Sequence, residues 1–340
     1  MSYHFLMDLA LILLSTKILG LVAQKFQMPQ VVGALIAGLI LSPAGLGLLS
    51  ETEFTAQLSE LGVIVLMFSA GMGTDIKELK NSGKAGFMVA VLGVVVPFLM
   101  GTALAWGADE LGLIETTGFL ESVFIGTILT ATSVSITVET LKEMKKLETK
   151  VGNTILAAAL IDDVLGLVAL TLVCSLAGGD ESIGMVLLKI AGFFVFAFVV
   201  GFAANRVFCW MLKRQHGWAS HRNSVFAFVL CLVMAYCAEE FFGVADITGA
   251  YAAGLAVACT PKGTYIQTKY NPLGYLLLTP VFFASIGINV QITGLTGGML
   301  AFSLLLLLIS IISKLLGCGL GAKACHFSTR ESIQVGAGMA

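Results

Sequence analysis

Apolar residues along this chain fall in blocks of about 20, each long enough to cross the roughly 30 Å hydrocarbon core of a bilayer as a helix. The blocks cover 5–24, 30–49, 58–74, 85–106, 119–140, 151–176, 184–212, 223–242, 245–260, 272–290 and 297–321. A twelfth opens near 329 and is cut off where the chain ends at Ala340. The connections are short and polar, and none is long enough to hold a soluble domain. The pattern predicts an all-α polytopic membrane protein.

Composition strengthens that reading. The 340 residues are 57% hydrophobic and 12% charged, half the charge of an ordinary soluble domain, and mean hydropathy is +0.95. The net charge of −2 says nothing about nucleic acid, and no long basic run or basic-aromatic patch suggests it, so no nucleic-acid partner is expected. The seven cysteines are scattered through apolar segments without CxxC or Cys/His spacing, so they read as small packing residues. The first block keeps Asp8 and Lys17 and has no small-residue cleavage site, which predicts a retained helix. No cofactor motif is present: GAG at 336–338 lacks the strand, third glycine and acidic partner of a nucleotide loop.

Charge placement sets the topology. Sixteen of the nineteen Lys and Arg fall in every second connection: Lys25; Lys77, Lys80, Lys84; Lys142, Lys145, Lys146, Lys150; Arg206, Lys213, Arg214, Arg222; Lys262, Lys269; Lys323, Arg330. The other connections hold none, and carry Glu51, Glu53, Glu60, Asp109, Glu110, Glu115, Glu121, Asp180, Glu181, Glu239, Glu240 and Asp246. By the positive-inside rule the basic loops face the cytoplasm and the N-terminus lies outside.

The chain also repeats itself. GALIAGL at 33–39 returns as GAYAAGL at 249–255, and the same offset of 216 aligns Ser69 with Ser285 and Gly71 with Gly287. The matched blocks are seven spans apart and therefore run in opposite directions. That is the inverted repeat of many secondary transporters. Six spans, a linking span and six more predict thirteen, of which about eleven and a half are present here.

Few charges remain inside the apolar blocks: Asp8, Lys17, Asp162, Asp163, Lys189 and Lys314. Asp8, Lys17 and Lys189 lie toward block ends, and the two lysines have stems that can snorkel. Asp162 and Asp163 are different. Twelve residues into the sixth block, at 1.5 Å rise each, they sit roughly 18 Å deep, near the midplane. Insertion there costs about 2.5–3.5 kcal/mol per acid. Two carboxylates this close resist double ionisation, so a proton on the pair can be exchanged for a cation. Hard carboxylate oxygens suit a transported monovalent cation and suit soft metals poorly. Lys314, about nine residues from Lys323, either snorkels or pairs with one aspartate. The fifth block, TILTATSVSITVET at 127–140, clusters Thr130, Thr132, Ser133, Ser135 and Thr137 at its middle. Hydroxyls there either pack helices or re-satisfy a backbone that unwinds. QVGAGMA at the end reads as the start of a matching broken helix.

ATSVSITVETLKEM followed by GNTILAAALIDDVLGL resembles the cation:proton antiporter 2 family of monovalent cation/proton antiporters. PQVVGALIAGLILSPAGLG, TPVFFASIGINV, and SKLLGCGLGAK followed by RESIQVGAGMA resemble it too, in order along essentially the whole chain. The resemblance implies the inverted-repeat sodium/proton antiporter fold with broken crossover helices, as a single sodium/hydrogen exchanger family domain over 1–340. Within it, scaffold spans would occupy 1–84 and 215–292, core spans 85–176 and 293–340, and a linker span 177–214. It implies Asp163 as the main ion and proton carrier, Asp162 as the partner of Lys314, and Thr132 and Ser133 at the helix break. It further implies a homodimer, in which the core moves against the scaffold, and a remainder of the twelfth and a thirteenth span that complete the ion site.

The expectation is a secondary antiporter, not an enzyme, in the plasma (inner) membrane. It would exchange protons for sodium, or lithium, electrogenically and by alternating access, and serve pH homeostasis without a cofactor. A potassium/proton exchanger of the same family shares every feature. A sodium-coupled organic-anion symporter would carry a less acidic midplane. An intramembrane aspartyl protease needs its two aspartates on separate helices, and here they are adjacent on one.

Overall fold

A computed structural model of the chain describes residues 3–114, 118–176, 183–213, 220–260, 262–290 and 297–340. Glu115, Asp180, Glu181 and Arg214, assigned above to loops, lie outside the described residues. The helices are α1 His4–Lys25, α2 Gln30–Leu41, α3 Glu53–Gly73, α4 Ile76–Glu110, α5 Phe119–Ile128, α6 Val134–Glu143, α7 Lys150–Leu176 and α8 Ile183–Lys213. They continue with α9 Ser220–Phe242, α10 Asp246–Ala258, α11 Gly263–Leu273, α12 Thr279–Ile288, α13 Gly297–Ala324 and α14 Thr329–Met339. A π-helical turn, Gly274–Leu278, joins α11 to α12.

Among the described residues, eight helical stretches are long and apolar enough to cross a membrane, with α11 through α12 counting as one. This is a multi-pass membrane protein, and the hydropathy blocks match its helices, with differences at several ends. The second block reaches 49 by hydropathy, yet α2 ends at Leu41: Ser42 precedes Pro43, and a residue before proline avoids the helical region. The tenth block starts at 272 by hydropathy, yet its helix begins at Gly263, because GTYIQTKYN is polar but helical. Pro272 does not stop that helix; the π turn just after it absorbs the disturbance. The fifth block is two half-helices, which decides between the two readings of its hydroxyl cluster: α5 ends at Ile128, α6 starts at Val134, and the backbone between is unwound.

Glycines record the internal repeat in three dimensions. A Cβ at Gly38 of α2 would collide with the Ala284 carbonyl of α12, and one at Gly254 of α10 with the Phe68 carbonyl of α3. Each position in the second contact is related to one in the first by 216 residues. The same relation links Gly287 against Leu35 to Gly71 against Tyr251. Gly62 and Leu278, themselves 216 apart, also meet: a Cβ on the glycine would lie 2.7 Å from the leucine carbonyl. Two residues exchanged by a symmetry operation can touch only at its axis, so the pseudo-two-fold of the repeat passes between α3 and the π turn. Close backbone approach of this kind is how membrane helices associate where lipid supplies no hydrophobic drive.

Around that axis α1, α2, α3, α10 and α12 pack on one another, with α9 and α11 alongside. A second set surrounds α4, which contacts α5, α7 and α13, while α14 lies on α7 and α13. Here too glycines set the spacing: Gly317 of α13 faces the Leu92 carbonyl, Gly321 faces Val89, and Gly126 of α5 faces Phe98 and Thr102 of α4. Helix α8 touches α7, α9 and α10. Its large apolar side chains Val195, Phe198 and Phe202 are exposed, as a helix surrounded by lipid requires.

Candidate ion-binding site

Helix α7 carries the two aspartates at its middle, and packing decides what each one faces. Asp162 points into the α4–α13 side, where it is 2% exposed. The Lys314 Nζ, from α13, donates to both Asp162 oxygens, Oδ2 at 3.0 Å and Oδ1 at 3.3 Å. Lys314 does not snorkel; it is 3% exposed. Its third contact is the Thr130 carbonyl at 2.6 Å. That carbonyl belongs to the unwound 129–133 segment, so breaking the fifth span leaves it without a helical partner and the ammonium supplies one. The lysine thus ties three elements together: α13, α7 and the broken crossover. Removing one member of such a pair commonly costs about 3–5 kcal/mol, because the other is left charged and buried.

Asp163, turned about 100° around the helix from its neighbour, lines a cavity of about 560 Å³. Its Oδ2 is buried and has no hydrogen-bond partner among the described residues. Thr127, Ile128, Thr130 and Ala131 of the crossover form one wall, and Glu239, Gly243, Val244, Ala245, Ile247 and Thr248, from α9, α10 and their connection, form another. The lining on α7 runs from 162 to 170, toward Leu176, so the cavity extends from the aspartates toward the face of the acidic loops.

The hydroxyls of the crossover divide the labour. Thr130 Oγ1 donates to the Thr127 carbonyl at 2.7 Å, closing the last turn of α5. Ser133 is the N-cap of α6, its Oγ accepting from the Ile136 amide at 3.4 Å. Thr137 Oγ1 reaches the Gly338 carbonyl of α14 at 3.4 Å. Thr132 lies beside Asp162. Its Oγ1 is buried without a partner in strict hydrogen-bond geometry. The last carbonyls of α5 and the first amides of α6 lie at helix ends, which favour cation and anion contacts respectively.

Of the other intramembrane charges, Asp8 is half-buried and Lys189 is exposed. Lys17 donates to the Tyr275 hydroxyl at 3.2 Å. The seven cysteines are all free. One charge escaped the hydropathy reading: Glu139, at the end of the fifth block, is 4% exposed. The signal was present, since Glu139 shares a helical face with Val134, Ser135 and Val138, all buried.

A multi-span bundle with an inverted repeat, a broken crossover helix and two midplane carboxylates is the architecture of a secondary ion transporter. Comparison with known proteins agrees: a family model described as sodium/hydrogen exchanger, transmembrane, matches residues 10–340. The chain belongs to that family. It is 39% identical over 339 residues to the probable Na+/H+ antiporter GerT of Bacillus cereus, covering 98% of this chain and 87% of that one. It is 37% identical to the Na+/H+-K+ antiporter GerN of the same organism, covering 100% and 85%. To a Na+/H+ antiporter of Enterococcus hirae it is 36% identical, covering 99% and 86%. Two structures of the sodium proton antiporter MjNhaP1 from Methanocaldococcus jannaschii share the fold. One, at pH 8, has a TM-score of 0.68, 19% identity and coverage of 98% and 84%. The other, an electron-microscopy map, has 0.73, 20%, 98% and 81%.

Proposed function

We propose that the protein exchanges protons for sodium by alternating access, with Asp163 as the group on which proton and cation compete. The observation that carries this reading is the unpartnered, buried Asp163 oxygen at the inner end of a cavity open on one side. A structural carboxylate at the midplane would be satisfied by a neighbour; Asp162 is, and Asp163 is not. A proton on Asp163 makes it neutral, and a sodium ion there finds the carboxylate together with the hydroxyls and freed carbonyls of 127–133. Both loaded forms shed the charge that opposes passage through a low-dielectric interior, while the empty carboxylate stays behind. That difference is what makes exchange obligatory.

Asp162, Lys314 and the Thr130 carbonyl hold the crossover against α7 while Asp163 loads. Ser133 fixes the start of α6, and Thr132 offers a hydroxyl beside Asp162. In this account α4 through α7 with α13 and α14 move as a core against a scaffold of α1–α3 and α9–α12, linked by α8. The scaffold would pair with a second copy. The orientation places the basic loops in the cytoplasm and the N-terminus outside, in the plasma (inner) membrane, so the cavity at Asp163 opens outward. Supporting this, the names of the relatives GerT, GerN and the Enterococcus hirae protein all specify sodium/proton antiport. GerN's name adds potassium, which makes potassium the second ion to test.

The experiment is reconstitution of the protein in vesicles with a lumenal pH dye, followed by addition of sodium, lithium or potassium salts. Sodium should drive proton flux and D163N should abolish it. Flux that depends on potassium alone would replace the sodium reading, and full flux in D163N would remove Asp163 from the mechanism.

A further inference from the structure

A second carboxylate pair lies on the opposite, basic-loop side of the crossover. Glu139 and Glu143 project from α6 into a cavity of about 260 Å³ walled by α1, α2 and the π turn. Glu139 is 4% exposed and its Oε2 accepts no hydrogen bond. Its nearest cation, Lys142 Nζ, stands 3.7 Å away on a side chain that is 38% exposed, where water screens it. Glu143 is engaged differently: it accepts from the Gln30 backbone amide at 2.6 Å. Gln30 opens α2, whose N-cap is Pro29 and which has no side-chain cap of its own. A carboxylate on α6 therefore caps the N-terminus of a helix in the other packing group. Lys17 completes the lining, held by the Tyr275 hydroxyl, which itself donates to the Gln30 Oε1 at 3.2 Å.

We propose that Glu139 and Glu143 form a relay site for the transported monovalent cation, between the aspartates and the basic-loop face. The proposal rests on the exchange reading above and adds residues that it does not use. Glu139 lies six residues beyond Ser133, roughly 9 Å along the helix at 1.5 Å rise each, a step toward that face from the aspartates. The oxygens available are those of the two carboxylates, Gln30 Oε1 and the Tyr275 hydroxyl, a hard set suited to an alkali cation. Glu139 and Glu143 face Lys17 inside the cavity, with Lys142 beside Glu139 at its exposed edge, so the net charge is at most one negative, which suits a monovalent ion and which a divalent ion exceeds. The site is also linked to movement. A cation bound by Glu143 competes with the Gln30 amide for the same oxygen, so occupancy releases α6 from the start of α2. Ion arrival on this side and separation of the two helix groups become one event.

Two measurements on the full chain test this. In vesicles of defined orientation, E139Q should raise the half-saturating sodium concentration about tenfold, equivalent to 1.4 kcal/mol, when sodium is presented at the basic-loop face. At the other face it should leave that concentration unchanged, and E139D should restore the first value. Independently of transport, a structure of the protein with thallium should show density beside Glu139 and Glu143 that E139Q removes, with density at Asp163 kept. Equal sodium dependence of E139Q at the two faces, or thallium at the aspartates alone, overturns the relay. Absence of any exchange by the unsubstituted protein overturns the exchange reading instead, and thallium at Glu139 is read separately from it.

Discussion

Lys314 bonds two Asp162 oxygens and one main-chain carbonyl in a place with almost no solvent. An ion pair so placed stabilises little against a well-packed apolar substitute, but breaking it from one side is costly. K314M should therefore lower stability by about 3–5 kcal/mol. D162N with K314M should recover most of that loss, because no lone charge remains. Thermal unfolding in detergent measures both, and a K314M protein that melts with the unsubstituted one contradicts the geometry. The aspartates were legible in the sequence because charge inside an apolar run is costly at that depth. The partner of Lys314 was not legible from spacing, since 152 residues separate it from Asp162 and only glycine packing of α13 on α4 brings them together. Glu139 was hidden for a simpler reason: hydropathy ends the fifth span at its own polar end, and Glu139 looks like its border.

At the scale of the helix, close-approach glycines carry the architecture. A Cβ at Gly38 or Gly254 meets carbonyl backbone, which has no rotamer to move out of the way. G38A and G254A should each cost about 1–3 kcal/mol through overpacking, seen as lower melting temperature. G83A, inside α4 with nothing within 4 Å of its Cβ position, should be neutral or slightly stabilising because alanine favours helix. Equal behaviour of all three would show that the repeat contacts are loose. The repeat itself was readable as a shared offset of 216. The helix ends were less so: hydropathy measures transfer to lipid and ignores backbone stereochemistry, so it ran through Ser42–Pro43 and stopped short of the polar, helical 263–271. The break at 129–133 was left open between packing and unwinding, and the structure decides for unwinding.

For the whole molecule, alternation of basic and acidic loops is the feature that orients everything else. Sidedness has a direct test: with Cys174 and Cys259, both exposed, replaced by serine, K146C should react with an impermeant maleimide from the cytoplasm only. E110C should react from outside only, and the reverse pattern would invert the proposed direction of the Asp163 cavity. The two helix groups meet through few elements, α6 with α2 and α3, and α7 with α8. Relative movement of the groups at α6 and α2 would therefore break the Glu143–Gln30 contact. No single residue reveals that arrangement; it follows from which helices the glycines let approach.

The central claim is that proton and sodium take turns on Asp163. Its most direct measurement is sodium-driven proton flux in vesicles holding the unsubstituted protein or D163N at matched density. The account predicts flux in the first and none in the second, with D163N still folded by thermal unfolding. Undiminished flux through D163N would contradict it.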